Sequence, residues 1–279
     1  MIRAMKIAIQ GELGSFHQLA AEHWFGADSE YVCGENFAEV FELVAGGLAD
    51  QAVVAIENSF HGSIAAVYDL LAKYQFPVVG ELSERVHQQL IGLPGTALAD
   101  IETVYSHPVA LAQCSDFLDR ELPGATRVEY HDTAAAVEHI KKLGDPTAAA
   151  IASHLAAGLH HLPVLAEKVE NAEQNYTRFL VIQPHGTAPA GANKTSLVLE
   201  TSHEAGALYQ ALGVFAENGI NMTKLQSRPV PHQVWKYRFY LDVEVARTQL
   251  EKALETLEKQ GCSVTVLGQY VADSTEYED

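Results

Sequence analysis

The chain has 279 residues, room for about two domains at the usual ~150 residues each, and its 48% apolar and 19% charged residues exclude a disordered chain. Asp and Glu number 36 against 18 Lys and Arg, a formal charge of −18 with no clustered basic face, which excludes nucleic acid and anionic membranes as partners. Cys33, Cys114 and Cys262 are scattered and form no Cys-x-x-Cys pair, so a disulfide framework is excluded and a reducing cytoplasm fits.

MIRAMKIAIQGELGSF passes directly into a strand-like run and a glycine turn, with no space for a signal-peptide apolar region. The apolar stretch AAAIASHLAAGL is interrupted by His154 and is well short of the ~20 residues that cross a bilayer. A cytoplasmic protein is expected. Along the chain, strand-like KIAIQ precedes helical FHQLAAEHWF, YVCGE precedes FAEVFELVAGG, and AVVAIEN precedes SIAAVYDLLAKY. TVYSH then precedes PVALAQCSDFLDREL, RVEYHD precedes TAAAVEHIKKL, AAAIAS precedes HLAAGL, and RFLVIQ closes the series. This alternation predicts an α/β fold with a largely parallel sheet.

PHGTAPAGANK lacks hydrophobic periodicity and is read as a linker. The expected division is a domain over 1–184, a linker over 185–194 and a second domain over 195–279 that ends in a polar, frayed tail. The second domain reads strand SLVLET, helix EAGALYQALGVFAENG closed by Gly219, strands NMTKLQS and WKYRFYLDVE, helix TQLEKALETLEKQG and strand SVTVLGQY. That βαββαβ order predicts a ferredoxin-like arrangement of four antiparallel strands with two helices on one face.

In the first domain strands repeatedly end in small polar residues where a helix begins: Gly14 and Ser15, Asn58 and Ser59, Ser106 before Pro108, Asp132 and Thr133, and Ser153. Each such turn offers backbone N–H groups at a positive helix end, and ligands of α/β sheets gather at the carboxyl ends of strands. A small polar or anionic ligand is expected there. In NYTRFLVI, Thr177 and Arg178 precede an apolar strand; a guanidinium there can hold a carboxylate by two hydrogen bonds while the hydroxyl donates to a neighbouring group. GELGSF lacks the G-x-G-x-x-G spacing and the phosphate-loop Lys, so no nucleotide cofactor is indicated. The 13 His residues show no metal-ligand spacing, so no metal is expected, and no G-x-S-x-G elbow supports a hydrolytic triad.

The stretches GELGSF, VAIENSFHGSI, YSHPVALAQC, DTAAAV, AAIASHLAA and NYTRFLVI, followed by GALYQALGVFAENGINMTKLQSRP, span nearly the whole chain. Together they resemble prephenate dehydratases with a C-terminal ACT regulatory domain. With no chorismate mutase segment before Met5, the resemblance is to the monofunctional form. It implies a two-lobed, periplasmic-binding-protein-like catalytic domain and the cofactor-free conversion of prephenate to phenylpyruvate, with loss of CO₂ and water, in phenylalanine biosynthesis. By resemblance the catalytic positions are Thr177, Arg178, Asn58, Ser106 and Gln113, with Phe179, Ser59, Gly14, Ser15, Thr133 and Ser153 binding substrate.

Thr177 is expected to donate to the leaving oxygen and Arg178 to anchor the side-chain carboxylate. The resemblance further implies phenylalanine as effector at Gly206, Ala207, Leu208, Asn221, Ser227, Arg228 and Pro229, and a homodimer or homotetramer. Gln226 stands where the family commonly has Glu, and Asn171 where Asp is common. Two other functions are open on sequence: an arogenate dehydratase, whose substrate has an amino group in place of the keto group, and a non-catalytic amino-acid sensor.

Overall fold

The computed structural model describes residues 5–230, 233–245 and 247–274. The first lobe runs β1 (Lys6–Gln10), α1 (Phe16–Phe25), β2 (Glu30–Gly34), α2 (Phe37–Ala45), β3 (Gln51–Asn58), β4 (Gly62–Ser63), α3 (Ala65–Tyr74) and β5 (Val78–Arg85). The chain then crosses to a second lobe: β6 (Gln89–Ile91), β7 (Thr103–Ser106), α4 (Pro108–Gln113), α5 (Ser115–Glu121), β8 (Thr126–Glu129), α6 (Thr133–Leu143), β9 (Ala148–Ala152), α7 (His154–His160) and β10 (Val164–Ala166). It returns to the first lobe as β11 (Tyr176–Ile182). The small domain follows as β12 (Lys194–Glu200), α8 (Ala207–Glu217), β13 (Asn221–Pro229), β14 (Tyr237–Glu244), α9 (Arg247–Lys259) and β15 (Ser263–Tyr270).

The first-lobe sheet has the order β2-β1-β3-β11-β5 with β4 beside β3, and the second has β10-β6-β9-β7-β8. Each lobe has a parallel centre, but β11 runs antiparallel to both β3 and β5, and β6 is antiparallel to β9 and β10. The sheets are therefore mixed, a correction to the parallel expectation: the strands on either side of the lobe crossings run against their neighbours. In the small domain the order β13-β14-β12-β15 is the expected antiparallel one. No helix among the described residues is long and apolar enough to cross a membrane.

Local sequence explains the helix starts. Ser15, Asn36, Asp132 and Ser153 cap α1, α2, α6 and α7 through side-chain oxygens, each accepting a backbone N–H of the first turn. At α2 the carboxylate of Glu39 also accepts from the Glu35 N–H, relieving another orphan donor. Two expected caps are absent. Asn58 and Ser59 lead into a turn and β4 rather than a helix, and His107, not Ser106, caps α4.

The first-lobe sheet has two buried faces. Ile7, Ile9, Val53, Phe179 and Val181 pack against Ala20 and Ala21 of α1 on one side. On the other, Val54, Ile56, Leu180 and Ile182 share a core with Leu71 of α3 and with Val198, Tyr240, Leu267 and Tyr270 of the small domain. The small domain thus lays its open sheet face on the first lobe and buries its opposite face beneath α8 and α9. At this contact a Cβ on Gly268 of β15 would stand 2.0 Å from the Val78 carbonyl oxygen of β5, so only glycine permits the approach. Lys194, expected in the linker, opens β12 instead. The tail expected to fray begins anchored, because the Ala272 and Asp273 N–H groups donate to Asn193 and Glu81; its residues 275–279 lie outside the described ones.

Candidate active site

Strand alternation sends Thr177, Phe179 and Val181 of β11 toward the cleft side of the sheet and Arg178, Leu180 and Ile182 toward the small domain. Beside it, β3 carries a bulge: Thr177 pairs with Asn58 and Arg178 with Glu57, but Phe179 pairs with Ala55. The extra residue lets Ala55 and Asn58, three apart, both border one cavity, while Glu57 reaches the small domain.

That cavity, about 410 Å³, lies between the lobes. Gln10, His17, Asn58 and Thr177 border it from the first lobe, Gln88 from the crossing, and His107, Gln113 and Thr133 from the second. A compartment of about 200 Å³ continues from it past Ser15, Asp132 and Phe179, at the N-termini of α1 and α6. Thr177 and His17 border both spaces. Asn58 Nδ2 donates to Thr177 Oγ1 at 3.0 Å and to Asn175 Oδ1 at 2.9 Å. Its Oδ1 accepts from the Phe60 and His61 N–H groups, which fixes the amide. Because Thr177 Oγ1 already accepts a hydrogen bond, its own proton is free to point into the cavity. Gln88 is buried with its amide oxygen unpartnered.

Two segments cross between the lobes, and Glu170 ties them together, its carboxylate meeting His87 Nδ1 at 2.7 Å and accepting the Gln88 N–H at 2.8 Å. Burial pushes the His107 imidazole below its usual pKa, with His61 adding to the shift, although Asp132 and Glu129 oppose it. His17 lies deeper, and burial lowers its pKa to about 3.

The structure therefore gathers Thr177, Asn58, Gln113, Phe179, Ser15 and Thr133 at the cleft. It places the other expected site residues elsewhere. Arg178 faces away: its guanidinium donates to Glu81 at 2.7 Å, to Asp242 at 2.6 Å and to the Tyr270 hydroxyl at 3.2 Å. Lys194 also binds Glu81, at 2.7 Å, and Ser196 donates to Asp242 at 2.5 Å. Burial opposes the Arg178 charge, but Asp242, Tyr270 and Glu81 outweigh it and hold the group protonated. Arg178 thus ties the first lobe to the small domain, and its guanidinium lies on the side of the sheet away from the cleft where a substrate carboxylate was expected to meet it.

Ser106 is buried and donates to the Ile151 carbonyl at 2.6 Å, so its proton is held inside the second sheet. Ser59 bridges the Gln174 carbonyl and the Tyr176 N–H at the returning segment. Ser153 donates to the Gly14 carbonyl at 2.5 Å, and a Cβ on Gly14, whose φ is +93°, would come within 2.8 Å of Ala156. That pair holds the two lobes against each other.

At the small domain, Ala207 and Leu208 border a cavity of about 370 Å³ with Ser202 and Phe239, next to Gly206 in its left-handed conformation. Arg228 instead donates to Asp69 of α3 at 2.7 Å, with Ser227 and Pro229 beside it on β13. Asn221, at the far end of that strand, binds Glu244. One chain therefore does not bring the seven expected effector residues together. Sequence reasoning did not single out His17, Gln88 or Asn175. Asn175 stood in the NYTRF motif and His17 directly after GELGSF, but neither carries a spacing that marks a ligand-facing side chain.

Two mixed α/β lobes around a polar-rimmed cleft, with a βαββαβ module docked behind, define a small-molecule enzyme that carries a regulatory domain. The family model for prephenate dehydratase matches residues 7–187 and that for the ACT domain matches 195–262. The chain is 37% identical over 270 residues to a bifunctional chorismate mutase/prephenate dehydratase of Neisseria gonorrhoeae, covering 96% of this chain and 75% of that one. The crystal structure of prephenate dehydratase in complex with L-Phe from Arthrobacter aurescens superposes with a TM-score of 0.87 at 30% identity, covering 96% and 90% of the two chains. A structure described as a novel type of quorum quenching acylase gives 0.88 at 34%, covering 96% and 98%. The chain belongs to the prephenate dehydratase family.

Proposed function

We propose that the chain converts prephenate to phenylpyruvate with the Thr177 hydroxyl as the donor to the departing ring oxygen, and that phenylalanine regulates it through the small domain. The observation that carries the catalytic part is the Asn58–Thr177 hydrogen bond, in which the threonine oxygen accepts and its own proton is left free for a partner in the cavity. Prephenate dianion plus one proton gives phenylpyruvate, CO₂ and water: the ring C–C bond to the carboxylate breaks, its electron pair enters the ring, and the C4–O bond breaks. Aromatisation drives the step, and a fixed donor at the leaving oxygen stabilises the charge that develops there. Thr177 acts as a hydrogen-bond donor or relays a proton to that oxygen without itself ionising.

No Lys or Arg of the described residues borders either compartment. The substrate carboxylates are therefore met by the positive ends of α1 and α6 and by the neutral amides of Gln10, Gln88 and Gln113. Phe16 and Phe179 supply apolar faces on a wall otherwise lined by polar groups such as Ser15, Asp132 and Thr133, and a carboxylate held against those faces is favoured to lose its charge as CO₂.

Effector binding is assigned to the space bordered by Ala207, Leu208, Ser202 and Phe239, where Gly206 admits close approach to backbone. Copies of the chain are proposed to associate through the small domain, whose β13 is an edge strand carrying the exposed Leu225. The acylase likeness makes N-acyl hydrolysis a control in the same experiment. Purified protein given prephenate is expected to form phenylpyruvate and to slow when phenylalanine is added, with no amide cleaved from an N-acyl substrate. Absence of phenylpyruvate overturns the proposal.

A further inference from the structure

We infer that His17 is a specificity residue, a neutral N–H donor that reads the keto oxygen of the substrate side chain and disfavours the amino counterpart. This deepens the dehydratase reading and rests on it.

His17 lies on the first turn of α1, buried between Phe179 at 5.1 Å, edge to face, and Phe37 at 5.6 Å. Its Nε2 accepts the Ala55 backbone N–H at 3.3 Å. A nitrogen that accepts carries no proton, so in the neutral ring the proton sits on Nδ1. Among the described residues no partner meets Nδ1, and it does not count among the buried orphaned atoms, so the ring's remaining edge opens to the cavity it borders. Burial, which lowers the pKa to about 3, leaves the ring neutral near pH 7.

Position supplies the rest. Phe179, against which the ring packs, stands two residues, about 6–7 Å, from Thr177 on the same face of β11, and Ala55, whose N–H meets the ring, pairs with Phe179. A six-membered ring with its C4 oxygen at Thr177 spans that distance and presents its C1 side chain near His17. The N-termini of α1 and α6 border the same compartment and suit the terminal carboxylate. A 2-oxo acid then offers a carbonyl lone pair to Nδ1–H, whereas a 2-ammonio acid sets donor against donor and leaves both unpaired.

The test compares kcat/KM for prephenate and arogenate in the wild type, His17→Phe, His17→Ala and His17→Asn. The wild type is expected to favour prephenate by roughly tenfold or more. His17→Phe and His17→Ala are expected to lose most of that preference, chiefly through a higher KM for prephenate, while His17→Asn, which keeps an N–H near the Nδ1 position, retains it. A purely structural role would change both substrates alike. Independently of any variant, phenylpyruvate is expected to shift the His17 Nδ1 resonance in the nitrogen-15 spectrum of the wild type. An unmoved resonance, or an unchanged substrate ratio in folded His17→Phe or His17→Ala, overturns the assignment of His17 alone. A wild type that turns over neither substrate overturns the dehydratase reading beneath it.

Discussion

Thr177 and Arg178 are joined by one peptide bond yet do different work. Thr177→Ala is expected to lower kcat by about 10²–10³, the usual loss for one preorganised donor, with an unchanged thermal midpoint; Thr177→Ser should retain most of the rate. Turnover by the alanine variant at the wild-type level would remove the donor role. Arg178→Ala leaves Glu81 and Asp242 with one cation fewer in a buried network. It should destabilise the protein by about 3–5 kcal/mol in urea denaturation. A rise in KM without loss of stability would instead return the guanidinium to the cleft. His17 gives a pH signature. Its folded pKa of about 3 lies below the unfolded value of 6.5. Between those values the unfolded chain binds the extra proton, so stability falls on acidification by roughly 1.4 kcal/mol per pH unit. His17→Gln should lose about 2 kcal/mol less than the wild type between pH 7 and pH 5, measured by denaturation. The sequence already contained the correction to Arg178: adjacent residues of a strand point to opposite faces, so a hydroxyl and a guanidinium in TRF cannot line the same cleft.

Among the elements, those with strong helical periodicity were legible, and the glycine and Ser/Asp punctuation located the starts of α1, α6 and α7. The strands β5, β6 and β10 were not. β5 carries Gly80, Glu81, Glu84 and Arg85 in eight residues, a composition that reads as a surface turn. It is a strand because β11 pairs along it and Arg178 and Lys194 neutralise the buried Glu81. β6 and β10 have only three residues each, too few to show a period. The β3 bulge is equally silent in sequence, yet it decides that Asn58 faces Thr177. Gly14 lies between these cases: a glycine turn was legible, its left-handed φ and its partner Ala156 were not. Gly14→Ala adds a Cβ where φ is +93° and Ala156 is in the way. It should destabilise the protein by about 1–3 kcal/mol. The variant should also lower kcat/KM about tenfold by wedging the lobes apart, since small misplacements of reacting groups are costly. Unaltered kinetics and melting would show that the lobe contact is dispensable.

For the whole molecule, the domain order and the βαββαβ module were legible, but the docking of one on the other was not, because it depends on which face each sheet leaves uncovered. That docking is extensive. Tyr240 and Tyr270 enter the first-lobe core, while Lys224 and Arg228 reach Glu57 and Asp69. Gly268→Val, which cannot keep β15 against Val78, is expected to raise the half-inhibitory concentration of phenylalanine at least fivefold, within the usual 1–3 kcal/mol of coupling between sites. An inhibition curve that superimposes on the wild type would show that the signal takes another route.

The shared strand sets a limit on escape from feedback. Since Arg178 holds the small domain while Thr177, its neighbour on β11, faces the cleft, any substitution that uncouples the domains at Arg178 also disturbs the strand that carries Thr177. Selection for overproducing strains should therefore yield replacements at the outer rim around Gly206 and leave TRF intact.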